Sequence, residues 1–83
     1  MTDWTMAQAK RDFSIGYLTG YGFERFTLGG ISSWYVRLSG GSARGSLVDA
    51  RSKQVREFRS LDAAVRAVEE IGFKVESLTV GSI

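Results

Sequence analysis

The sequence predicts an α+β domain: an antiparallel sheet of three to four strands with one helix packed across it. An N-terminal helix and a C-terminal strand complete the order α-β-β-β-β-α-β. Three observations carry this. Residues 33–38 (Ser-Trp-Tyr-Val-Arg-Leu) alternate apolar and polar with a period of two, as a half-buried strand does. Residues 60–72 place Leu61, Ala64, Val65, Val68 and Ile71 on one helical stripe. Between them, Gly-rich and Ser-rich breaks at residues 40–42 and 52–54 mark turns. The 83 residues make one domain spanning 1–83, without internal repeat or linker.

In chain order, the first element is a helix. Thr5-Met6-Ala7-Gln8 matches a capping box, with Trp4 placed to staple onto the first turn. Met6, Ala9, Phe13 and Tyr17 form its apolar stripe, and glycines end the helix by about residue 19. A short strand over 23–28 follows, with Phe26 and Leu28 on one face beside Glu24. Gly29-Gly30 suits a two-residue hairpin turn, since both positions tolerate positive φ. In the strand over 33–38, Trp34, Val36 and Leu38 face the core, which leaves Tyr35 and Arg37 on the other side. A further strand is expected over 46–50. Another is expected over 55–59, where Val55 and Phe58 are out of phase, the mark of a bulge or partial exposure. Ser60 caps the second helix, Arg66 and Glu70 are spaced to pair, and Gly72 closes it. Residues 73–77 alternate as a last strand, which 78–80 extend.

The composition narrows function by exclusion. Without cysteine there is no disulfide scaffold and no thiolate metal site. Without histidine the commonest general base and metal ligand is missing, and Ser32, Ser33, Ser42 and Ser46 lack an activating partner. Glu69-Glu70 reads as a solvated helix face, and Asp49 and Glu57 as partners for Arg51 or Arg59 across strands. Residues 40–45 (Gly-Gly-Ser-Ala-Arg-Gly) superficially suggest a phosphate loop, but they join two strands and lack the terminal Gly-Lys-Ser/Thr. No enzymatic activity, cofactor or metal is expected. No apolar run suits a signal peptide or a membrane span, so the default location is the cytoplasm, without membrane contact.

The positive lead is arginine. Eight of the eleven basic residues are Arg, the net charge is +2 and the pI is about 9.3. Arginine favours planar contacts to phosphates and base edges. Tyr35, Arg37, Arg44, Arg51, Lys53 and Arg59 are the candidate contact residues for nucleic acid, duplex DNA above all, on the sheet face away from the second helix. The alternative is a protein-interaction module or homo-oligomeric adaptor. In that reading some of Trp4, Phe13, Tyr17, Tyr21, Phe23 and Phe26 face a partner, or residues 73–80 pair across a homodimer axis.

The run Trp34-Tyr35-Val36-Arg37-Leu38, two further strands, and then Phe58-Arg59-Ser60-Leu61-Asp62-Ala63-Ala64 resemble the sheet-plus-helix DNA-binding domains of the AP2 and integrase N-terminal type. That resemblance covers about half the chain. It implies a three-stranded sheet that reads the major groove with its exposed residues. The N-terminal helix, the additional strand and the strand after Gly72 depart from the pattern. Residues 47–53 with 56–64 are also similar to small accessory proteins of plasmids and other mobile elements, partition-associated ones included, which implies a setting in DNA maintenance.

Overall fold

The computed structural model describes residues 2–75 and 80–82. Three antiparallel strands form an open sheet: β1 (Gly20–Leu28), β2 (Ile31–Gly40) and β3 (Ala43–Ser46). Two helices, α1 (Met6–Ser14) and α2 (Leu61–Ile71), lie on one side of it.

Each helix starts where its capping residue directs. The Thr5 hydroxyl accepts from the Gln8 backbone N–H at 3.2 Å, and the Gln8 side chain accepts from the Thr5 N–H at 3.0 Å, a complete capping box. The Ser60 hydroxyl accepts from the Ala63 N–H at 3.1 Å. α1 is shorter than its apolar stripe suggests. It stops at Ser14 because the chain turns through Gly16 at φ +80°, so Tyr17 leaves the stripe and is exposed. α2 buries Ala64, Ala67, Val68 and Ile71 against the sheet, with Leu61 and Val65 at the margin. Glu70 turns toward Lys10 of α1 at 3.5 Å instead of pairing along its own helix.

The β1–β2 hairpin is the longest ladder, running from Gly20 opposite Ser39 to Leu28 opposite Ile31. Its turn has Gly29 at φ +61° and Gly30 at φ +80°, the mirror-image turn that matches strand twist. β1 begins at Gly20, earlier than residue 23, because Gly20 and Gly22 are ladder residues and not a break. β2 likewise extends to both sides of 33–38.

β3 also begins earlier than its expected start at 46, and Leu47 and Val48 follow it as single bridges to Trp4 and Val55. Residues 55–59 form no continuous strand. Val55 bridges Val48 while Phe58 bridges Trp34, so the two ends serve different partners. Residues 73–75 are not in a strand, and the rest of the expected 73–80 strand through residue 79 lies outside the described residues.

The core is a single cluster of Trp4, Leu18, Phe23, Val36, Leu38, Leu47 and Phe58 beneath α1 and α2. Trp4 ties α1 to β3. It lies beside β3, with its N–H donating to the Ser46 carbonyl at 2.9 Å, and its indole Nε1 donates to Asp12 at 2.8 Å. That close approach needs a glycine: a Cβ at Gly45 would sit 1.4 Å from the Thr2 carbonyl oxygen. Phe73 packs edge-on to Phe13 at 4.6 Å and against Tyr21 at 5.0 Å, which extends the core past the end of α2.

Candidate nucleic-acid interface

With both helices on the core face, the opposite sheet face is open among the described residues. Strand alternation and register decide its occupants. β1 contributes Gly22, Glu24, Phe26 and Leu28; β2 contributes Ile31, Ser33, Tyr35, Arg37 and Ser39; β3 contributes Arg44 and Ser46. The face changes character along the hairpin. Near the turn it is aliphatic, in the middle aromatic, and at the far end basic.

Arg37 is the best-fixed cation on this face. Its Nε donates to Glu24 Oε1 at 2.6 Å and its Nη2 to Glu24 Oε2 at 3.3 Å, a forked pair, while Nη1 donates to the Ser46 hydroxyl. The Ser46 N–H in turn donates to the Asp3 carboxylate at 3.0 Å. Gly22 lies opposite Arg37 in the register, and the guanidinium reaches Glu24 on the diagonal. Three of the five guanidinium N–H donors are thus used within the sheet, and two remain for a ligand. Arg44 is exposed across from Ser39. Together with Glu24, Arg37 and Ser39 it borders a shallow groove of about 400 Å³ floored by Gly22.

Tyr35 stands between the basic and apolar parts. Its ring stacks on Phe26 with centroids 6.0 Å apart and planes 19° from parallel. Its hydroxyl donates to Glu57 at 3.4 Å. Desolvation, then the nearby Glu57 carboxylate, hold the Tyr35 hydroxyl above its ordinary value of 10.0. Arg59 is exposed and shares a depression with Ile31, Ser32, Ser33 and Glu57 at the edge of the same face.

Arg51 and Lys53 stand apart. They belong to a tight turn closed by Asp49, whose N–H donates to the Gln54 carbonyl at 2.8 Å. The Asp49 carboxylate accepts from the backbone N–H of Arg51 at 2.9 Å and of Ser52 at 3.0 Å. Those backbone bonds, Ser52 first, hold the Asp49 carboxyl below its ordinary range. Asp49 therefore organises its own turn in place of an ion pair across strands. The turn neighbours the first residues of α1, with Thr5, Met6 and Lys10 bordering the same hollow. Lys53 adopts φ +60° there, alone among the described non-glycine residues.

Of the six candidates, the structure gathers Tyr35, Arg37, Arg44 and Arg59 on or beside one face and leaves Arg51 and Lys53 on a separate turn. Glu24, Phe26, Leu28 and Ile31 complete that face. Period-two alternation places Glu24, Phe26 and Leu28 together, but joining them to Tyr35 and Arg37 needs the hairpin register, which Gly29-Gly30 sets. Arg56, which was not among the candidates, lies over the Phe58 ring at 5.0 Å on the helical side. Among the described residues, no helix is long and apolar enough to cross a membrane. No family model, curated protein or solved structure matches the chain.

Proposed function

We propose that this chain is a non-enzymatic nucleic-acid-binding domain whose contact surface is the open sheet face, with duplex DNA as the ligand. The observation that supports it is the grouping of Tyr35, Arg37, Arg44 and Arg59 on a face that neither helix covers. In this reading Arg44 and Arg59 contact phosphates and set the position on the duplex. Arg37, oriented by Glu24 and Ser46, directs its two remaining donors toward a base edge or a phosphate. Tyr35 packs against the sugar-phosphate backbone or supplies its hydroxyl. Arg51 and Lys53 act, if the duplex is long enough to reach their turn, as outlying phosphate contacts.

Three antiparallel strands followed by a helix are what the resemblance to AP2 and integrase N-terminal domains implies. The likeness to mobile-element accessory proteins suggests DNA maintenance as the setting, inside the cell. We further propose that the sheet gains a fourth strand at the free edge of β1, with residues 80–82 running parallel to 23–25.

The test is titration of labelled duplex DNA at two salt concentrations. Binding should weaken steeply with salt, and Arg44→Ala with Arg59→Ala should lower the logarithmic salt slope by about 0.9 per lost phosphate contact. Both side chains are exposed, so the variants keep the fold. Absence of binding at low salt sinks the proposal. A second reading, a protein-interaction module or homodimer, draws on Leu28 and Ile31, which are 71% and 72% exposed. A molar mass by light scattering that rises with concentration, without DNA binding, would support it.

A further inference from the structure

The outer part of the β1–β2 hairpin, residues 26–33, has no role in the core. Among the described residues its backbone is laddered only to itself: Phe26 to Ser33, Thr27 to Ser32, Leu28 to Ile31. On the β2 side, the last support is the Phe58 bridge to Trp34, one pair further back. The finger ends in two glycines, so no side chain broadens its turn.

Leu28 and Ile31 are register partners, and both point to the open face. Among the described residues they are, with Ile15, the most exposed large hydrophobic side chains. Large aliphatic side chains exposed side by side, with polar groups around them, mark a contact site. The Phe26–Tyr35 stack stands directly behind them and braces the ribbon from that side. On the reverse side, the Thr27 and Ser32 hydroxyls lie 3.1 Å apart, a pair of exposed polar groups on the other flank.

The charge around the finger selects the recipient. Arg59 borders the hollow that holds Ile31, Ser32 and Ser33, and exposed Arg25 lies opposite Trp34 at the finger's root. The carboxylate there, Glu57, accepts the Tyr35 hydroxyl. An aliphatic tip with hydroxyls and arginines at its flanks has the chemistry of a wedge between stacked bases: the aliphatic pair replaces stacking, and the polar flank meets phosphates.

We infer that the Leu28–Ile31 tip enters the minor groove of duplex DNA and partly unstacks one base step, kinking the duplex. The inference rests on the proposal that the open face binds duplex DNA, and it assigns that face a deforming role in addition to a positioning one. Gly29 and Gly30 place no side chain beyond Leu28 and Ile31, so the aliphatic pair is the outermost bulk of the ribbon, and apolar wedges of this kind enter from the minor groove. A flexible pyrimidine–purine step is the preferred site, since it unstacks at least cost.

The experiment uses a duplex with a central TA step, 2-aminopurine beside that step and a fluorophore pair at the ends. The wild-type protein should brighten the 2-aminopurine and shorten the end-to-end distance. Leu28→Ser with Ile31→Ser should keep the wild-type urea midpoint, because neither side chain packs in the core. This variant should still bind in a salt-dependent way, about tenfold or more weaker, with neither brightening nor shortening. Two results would overturn the wedge while leaving DNA binding intact: wild-type binding without a spectroscopic change, or the same change with the double variant. Failure of wild type to bind at low salt would remove the proposed function and the wedge together. If the double variant's sole difference is loss of self-association in light scattering, the tip is a contact between copies and the wedge is wrong.

Discussion

The two faces of the same three strands obey different rules. On the helical face, Phe23, Val36 and Leu38 are almost fully removed from water and interlock with residues from every other element. On the open face, the matching positions of the same strands hold Glu24, Phe26, Tyr35 and Arg37, each half-buried and each bonded or stacked to a neighbour on the face itself. One face is held by what covers it, and the other by lateral contacts between its own side chains. A face organised laterally keeps its shape without a lid, and so stays available to a ligand.

Two phenylalanines three residues apart on β1 give the largest contrast. Phe23→Ala should lose about 3–5 kcal/mol of unfolding free energy, the usual cost of emptying a large core site. Phe26→Ala should lose only about 1 kcal/mol, the worth of its stack on Tyr35. Urea unfolding followed by circular dichroism measures both, and equal losses would erase the distinction between the faces.

A double-mutant cycle on Glu24→Gln and Arg37→Gln should give a coupling of about 1 kcal/mol, since the forked pair is partly solvated. The coupling should shrink in molar salt. A coupling near zero would mean that the lateral contacts do not hold the open face.

Alkaline titration sharpens the same point. The folded-state pKa of Tyr35 is raised, so its contribution is fully present below the ordinary value of 10.0 and is lost as pH rises through the folded value. Stability measured between neutral and strongly alkaline pH should therefore fall less steeply in Tyr35→Phe than in wild type. Identical profiles would detach Tyr35 from Glu57.

The smallest effect belongs to Lys53, which lies off both faces. Lys53→Gly should be stabilising by about 0.5 kcal/mol or less, as relief of the left-handed conformation is offset by glycine's entropy. Its DNA affinity should drop only slightly. A loss as large as that for Arg44→Ala would bring the Asp49 turn into the binding surface.

What the sequence made legible follows the range of the interactions. The α2 stripe, both helix caps and the Gly29-Gly30 turn depend on residues a few positions apart, and each stands where local spacing places it. Alternation in β2 separates Val36 and Leu38 from Tyr35 and Arg37, again a local property. Gly20 and Gly22 read as punctuation because glycine usually is, yet both are ladder residues of β1, and a Cβ at Gly20 would collide with the Ser39 hydroxyl. The Glu24–Arg37 pair needs a register, and the partnership of Trp4 with Leu47 needs the whole fold. Charge alone groups Arg51 and Lys53 with Tyr35, whereas their place on a turn away from the sheet face follows from the Asp49 hydrogen bonds.

The contact between Trp4 and β3 also has a consequence in time. Trp4 precedes its partners Ser46, Leu47 and Val48 by more than forty residues. The intervening hairpin can close on its own, whereas Trp4 must wait with its indole in water, and long-range closures of this kind slow folding. In a Trp34→Phe background, Trp4 fluorescence should therefore report the last docking event on the way to the native state, after the β1–β2 hairpin has already formed.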